Sequence, residues 1–306
     1  MRSTLMLLLV WLALLPAALR AQPDGDAWEV LYDGKVKIVL KDAHFTAGTR
    51  HLSWLVTDDK PAKTKTKTPA GPEYLEFRED KTPMYTDDIV TYIPVGSLQR
   101  LEYDHEKKLV RVTVKQAGDT DLTLVGSTKY ANINKFSLDG TALKKADLGV
   151  EGALQFQDGR MKVPFRGFIN PAAKPVEAPT GRAAVVVARD KEKTQHKVQG
   201  LMPLYKVGAG QKLASVLMFQ KIGQLDVSKI AALRQLPPTD KKQTYSHDYE
   251  VTQIGGDKEK LTLLDATQLE GNTKAVLVGL VGRVPAGYRL FPASIIAEVR
   301  FDVKSE

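Results

Sequence analysis

Leu109-Val110-Arg111-Val112-Thr113-Val114 sets an apolar residue at every second position, with Arg111 and Thr113 between. A period of two puts Val110, Val112 and Val114 on one face of an extended strand and the polar pair on the other. The same grammar recurs on both sides. Val36-Lys37-Ile38-Val39-Leu40, Tyr74-Leu75-Glu76-Phe77 and Leu122-Thr123-Leu124-Val125 are short, β-branched or aromatic, and close to period two. Turn-forming clusters separate them: Asp33-Gly34, Gly118-Asp119, Asp139-Gly140, Asp158-Gly159 and Gly255-Gly256-Asp257. Strand runs punctuated in this way predict a mainly β chain built as small barrels or sandwiches, with few short helices. The stretch Gln211 to Phe219 admits two readings: a helix with Leu213, Val216 and Leu217 on one face, or a strand.

Self-similarity organises these strands. Val112-Thr113, Leu122-Thr123-Leu124 and Thr128 recur as Val251-Thr252, Leu261-Thr262-Leu263 and Thr267, at a constant offset of 139. Upstream, Ile93-Pro94, Leu98 and Leu101 recur as Leu225-Asp226, Ile230 and Leu233, at an offset of 132. A third copy, Phe291-Pro292, Ile296 and Val299, closes the chain. Gly34 to Leu40 and Gly181 to Val187 also match, as Gly, a basic residue, and an apolar run. Together these predict two related modules from an internal duplication. Each recurring motif reads as a strand, a Pro or Asp that ends its ladder, a three-residue turn and a second strand. Pro has no N–H for pairing and so belongs at a strand edge or corner. The apolar pairs three apart suit one helical turn plugging the end of a barrel. Such corners resemble those of SH3-like barrels, an analogy of fold that implies nothing about function.

Residues 1–21 have the layout of a cleaved signal peptide. Arg2 supplies the basic region, Leu5 to Leu15 the apolar run, and Ala21 the small residue before cleavage. The run is too short to span a bilayer, and no later stretch approaches that length. The expected plan is then an N-terminal β module at 22–170, a Pro/Ala-rich linker at 171–181 and a C-terminal β module at 182–306. Within the first module, 59–72 reads as a mobile basic loop, since it has no large apolar residue to bury. The predicted location is periplasmic or extracellular.

Export without a single cysteine leaves no route to disulfides, so stability must come from buried apolar surface. It also excludes thiol catalysis, cysteine-ligated zinc and iron–sulfur clusters. Loss of the signal removes Arg2 and Arg20 and lowers the net charge from +8 to +6. That balance favours anionic envelope polymers or lipid headgroups as partners. Lys60, Lys63, Lys65 and Lys67 are the candidate polyanion contacts. Nucleic acid is not expected, because no aromatics interleave with the basic run.

Catalytic signatures are scarce. Five histidines are available as general bases. His44 and His51 are seven apart, too far for a helical metal pair. His105 falls in a turn and His196 in a charged, solvated stretch. Tyr245-Ser246-His247-Asp248-Tyr249 sets a hydroxyl, an imidazole and a carboxylate side by side, yet neighbours on a strand point to opposite faces, so no triad is expected there. Gly208-Ala209-Gly210-Gln211-Lys212 lacks the spacing of a phosphate loop and reads as a turn. Asp58-Asp59 and Asp87-Asp88 are paired carboxylates in turn surroundings. No catalytic, metal or cofactor site is predicted. The expected function is a non-catalytic exported β-protein that binds or scaffolds an envelope polymer or another exported protein. The alternative is an enzyme acting on extracellular glycan, with carboxylates gathered in the cleft between modules.

Overall fold

The computed structural model describes residues 27–32, 36–55, 72–78, 89–104, 106–118, 120–127, 137–142, 153–157, 165–239, 246–269 and 273–302. Residues 1–21, expected to form a signal peptide, the Lys-Thr run and the two aspartate pairs lie outside the described residues. The chain is mainly β, and each helical segment among the described residues is one three-residue 3-10 turn.

The first half carries β1 (Trp28–Tyr32), β2 (Val36–Ala47), β3 (Thr49–His51), β4 (Glu73–Phe77), β5 (Val90–Pro94) and β6 (Leu98–Asp104). It continues with β7 (Leu109–Val114), β8 (Leu122–Ser127), β9 (Ser137–Ala142), β10 (Ala153–Gln157) and β11 (Phe165–Ile169). The second half carries β12 (Ala183–Ala188), β13 (Gln195–Val207), β14 (Gly210–Leu213), β15 (Val216–Phe219), β16 (Gly223–Asp226) and β17 (Ile230–Gln235). After these come β18 (Asp248–Gln253), β19 (Lys258–Thr262), β20 (Ala266–Leu269), β21 (Thr273–Val284), β22 (Gly287–Pro292) and β23 (Ile296–Phe301). The ambiguous stretch from Gln211 to Phe219 is therefore extended, as β14 and β15.

Two rows of strands share one order. The first runs β8-β7-β6-β11-β1-β2-β9-β10, and the second runs β19-β18-β17-β23-β12-β13-β21-β22. In β7 the alternation read from sequence is realised: Val110, Val112 and Val114 are fully buried, and Arg111 and Thr113 are only partly so. Pairing between β6 and β7 sets Leu98 against Val114 and Leu101 against Val112. Pairing between β17 and β18 sets Ile230 against Gln253 and Leu233 against Val251. Those are the partners that the offsets of 132 and 139 require. The next hairpin departs from the constant offset. Val112 faces Leu124, but Val251 faces Glu259, four residues short of Leu263. The match of Gly34–Leu40 with Gly181–Val187 also equates strands in different places, because Val36–Leu40 belongs to β2, whose counterpart in the strand order is β13.

All three corner motifs form the same device: strand, 3-10 turn, strand. The turns are Val95–Ser97, Val227–Lys229 and Ala293–Ile295. Pro94, Asp226 and Pro292 hold the cap position, and Asp226 accepts a hydrogen bond from the Ser228 N–H at 2.7 Å. The apolar pairs three apart are not on the helical turn. They lie on the following strand, where each strand gains one residue against its partner, at Gln99, Ala231 and Ala297. A bulge of that kind turns an inward spacing of two into three. Leu98 with Leu101, Ile230 with Leu233, and Ile296 with Val299 all point into the core.

One apolar cluster runs through both rows, from Trp28 and Phe168 to Val251 and Phe301. The rows are joined directly: β22 pairs with β5 at Tyr288–Tyr92, Arg289–Thr91 and Leu290–Val90, and β4 and β3 follow β5 outward. On the far face of this junction a second cluster packs Leu52, Trp54, Tyr74, Val90 and Tyr92 over Leu204, Val281 and Leu290.

His196, expected in a solvated stretch, is half-buried in β13 beside the Phe291 ring, with Nδ1 3.2 Å from Arg289 Nη1. Burial first, and then the Arg289 guanidinium, hold its imidazole down to about 4, against a smaller upward pull from Asp190. In the unfolded chain this group titrates near 6.5. The folded chain thus resists its protonation, so its contribution to stability is complete above pH ~6.5 and is lost as the pH falls towards 4. With screening of a group that solvent partly reaches, the loss should be roughly 1–2 kcal/mol. Denaturant titrations at pH 7 and pH 4.5 check it: His196→Gln should flatten this part of the pH dependence.

Candidate functional site

The junction of the two rows leaves an open groove of about 360 Å³. Its walls come from four segments of the chain. Pro72 and Tyr74 enter on β4 and the residue before it, and Pro94, Gly96 and Ser97 come from the first corner. Arg283, Gly287 and Tyr288 come from the β21–β22 hairpin, and Lys174 to Glu177 from the Pro/Ala-rich segment.

Pairing geometry explains the convergence. Tyr288 lies opposite Tyr92 on β5, which lies opposite Glu76 on β4, and Tyr74 precedes Glu76 by two residues on the same face. The rings of Tyr74 and Tyr288 meet edge to face at 6.0 Å, and Trp54 backs Tyr288 at 5.3 Å in the same manner. Edge-to-face contacts of this kind stiffen an aromatic wall beyond the area they bury. Burial first, then the nearby Tyr288 and Glu177, push the Tyr74 hydroxyl up to about 12, with Arg283 pulling the other way. Tyr74 is therefore a neutral donor at any physiological pH.

The Pro/Ala-rich segment carries no strand, but it is tied along the groove. Lys174 donates its N–H to Gly96 O at 2.8 Å, Val176 donates to Lys115 O at 3.0 Å, and the Val176 side chain enters the core. These bonds leave Pro175 on the rim and Glu177 with 89 % of its side chain exposed. Arg283 is the charged centre of the site. Its guanidinium lies 5.5 Å over the Tyr288 ring, donates to Thr180 Oγ1 at 3.2 Å and stands 3.9 Å from Glu177 Oε2. The same arginine borders a second hollow of about 390 Å³, with Pro179, Lys197, Gln199, Pro285 and Asp302 among its lining.

The residues singled out in the sequence are elsewhere. Lys60, Lys63, Lys65 and Lys67 lie outside the described residues, as do His105 and Tyr245, although Pro72 at the end of the basic run is on the groove wall. His44 bonds the carbonyl of Asp42 at the surface, and His51 stands 3.7 Å from Glu73. His247 and Asp248 have different partners: His247 faces Asp265 at 3.3 Å, and Asp248 accepts from Thr262 at 2.6 Å. The two do not act on one atom. Gly208 takes a positive φ in the β13–β14 turn, as a turn reading requires. Among the described residues no group of three His, Asp or Glu side chains is placed to hold a metal ion, and no helix is long and apolar enough to cross a membrane. Among the described residues that line the 360 Å³ groove, Glu177 is the one carboxylate.

Sequence reasoning missed Tyr74, Arg283 and Tyr288 as site residues. The available signal was weak: Tyr288 stands three residues before Phe291-Pro292 of the third corner motif, and Tyr74 opens the alternating run Tyr74-Leu75-Glu76-Phe77. Comparison of the chain with family models, with curated proteins and with solved structures gives no match.

Proposed function

We propose that this chain is an exported, non-catalytic binding or scaffolding protein whose ligand seat is the groove at the junction of its two halves. The observation that carries the reading is the make-up of that groove. Two tyrosine rings, three prolines and one arginine form a preformed, mostly apolar trough, a wall suited to holding a ligand. A single exposed carboxylate in it lacks the partner that two-carboxylate glycan hydrolysis uses. The shared strand order and the matching β6–β7 and β17–β18 registers support the two halves as copies of one ancestral unit, each folded on a small β-barrel plan. On this reading, the interface between copies is where a new site arises. The net charge and the basic run at Lys60–Lys67 support an anionic partner in the envelope, either a polymer or another exported protein.

Association of the mature chain with isolated envelope material, measured by co-sedimentation, is the test. Tyr288→Ala removes one wall of the groove and should weaken association by roughly tenfold, the effect of losing one buried aromatic anchor. Thermal melting of the variant separates loss of the seat from loss of the fold. A wild-type chain that stays in the supernatant, or a Tyr288→Ala chain that sediments equally, would sink the proposal.

A further inference from the structure

Within the groove, the chain already shows a ligand-like arrangement made from its own sequence. Pro175 lines the wall with Tyr74 and Tyr288, Val176 is buried beneath it, and Glu177 presents a carboxylate towards Arg283. The arginine is well prepared for this. Its side chain is one-third exposed, laid over an aromatic ring and pinned by Thr180. A guanidinium held in this way loses little freedom when it takes up a carboxylate, and its planar fork matches the two oxygens. Glu177 is a poor permanent partner. At 3.9 Å and 89 % exposed it makes a long, screened contact of the kind worth little.

Resting on the reading of this groove as the binding seat, we infer that it recognises an extended, carboxylate-bearing, proline-containing peptide segment of another exported protein. Arg283 is the anchor for the ligand's carboxylate, and Glu177 is the internal carboxylate that the ligand displaces. The proline preference follows from the walls. Pro72, Pro94, Pro175 and the two tyrosines offer ring faces and edges, and a proline-rich segment arrives already extended, with little entropy to lose. The charge preference follows from Arg283 and Lys174 at the rim, against the one carboxylate that the ligand replaces.

The test is fluorescence anisotropy of the mature chain with two labelled peptides, Pro-Pro-Glu-Pro-Pro and Pro-Pro-Gln-Pro-Pro. The glutamate peptide should bind roughly fivefold or more tightly than the glutamine peptide, with the gap narrowing as salt rises. Glu177→Ala, at an exposed position that leaves the fold alone, should tighten the glutamate peptide by about two- to fivefold by removing the competitor. Arg283→Gln should weaken it by roughly tenfold and erase the difference between peptides, with Arg283→Lys in between. Equal binding of both peptides, or a Glu177→Ala chain that binds no better than wild type, overturns the inference. If neither peptide binds while Tyr288→Ala still reduces association with envelope material, this ligand class is wrong and the groove remains the seat. If Tyr288→Ala also has no effect, both readings fall.

Discussion

Gly287→Ala is expected to lower the melting temperature by roughly 5–10 °C, and to do so by parting β22 from β5. Gly287 opens β22 with φ at +130°, a conformation that side-chain-bearing residues rarely adopt. A Cβ there would also stand 2.3 Å from the carbonyl oxygen of Tyr92 and 2.9 Å from Cδ of Pro94. Both neighbours are held: Tyr92 by pairing on two sides and Pro94 by the corner that follows it. The backbone strain alone costs about 1–3 kcal/mol. Relief of the overlap requires the strand to move away from β5, which brings the total to roughly 3 kcal/mol or more and gives the stated shift in a chain of this size. Calorimetry measures it. On the proposed reading of the groove, the same variant should also weaken association with envelope material, because Gly287 is part of the groove wall. A melting temperature within about 1 °C of wild type would mean that the β22–β5 junction is not what holds the two halves together.

Phe291→Ala should cost about 3–5 kcal/mol, read as a fall in the urea midpoint with little change in slope. Phe291 is fully buried in the cluster that runs through both halves, at the strand end of the third corner motif. The surroundings have little room to close over the space left. Gly279 lies so near that any Cβ there would meet the Phe291 backbone, and the His196 ring packs 5.4 Å from the phenyl ring. Phe291→Leu refills much of the volume and should recover about half of the loss. A midpoint unchanged by Phe291→Ala would show that this corner is not part of the cooperative core.

The corner motifs separate what is legible in residues from what is not. Ile93-Pro94, Leu225-Asp226 and Phe291-Pro292 announce a strand that stops, because Pro lacks the donor and Asp caps the next turn. That much is local chemistry, and three 3-10 turns follow it. The spacing of three after each turn was open to a helical reading, and only the sheet resolves it. The extra residue at Gln99, Ala231 or Ala297 exists relative to a partner strand, so no property of the segment by itself distinguishes a bulge from a turn. The same holds for β19. A gap-free offset brings Leu263 opposite Val251, but the hairpin pairs Glu259 there and sets the buried Leu261 against the buried Tyr249.

His196 shows the same division in electrostatics. Its flanking lysines and glutamate look solvated, yet alternation along β13 turns the imidazole inward to Phe291 and Arg289. The groove lies furthest from the sequence. Tyr74, Pro175, Arg283 and Tyr288 are separated by as many as 214 positions and share a wall only because β22 pairs with β5.

By itself the sequence determined the β class, the absence of disulfide chemistry, the alternation that buries Val110, Val112 and Val114, and the three corners. Each depends on the period of a strand or the bonding capacity of one residue type, and those are properties of neighbours in the chain. The tertiary structure alone decided the bulges, the register of β19, the depressed titration of His196 and the meeting of Tyr74 with Arg283 and Tyr288. Those depend on which strand lies beside which, a choice made by the apolar surface of the whole chain closing on itself.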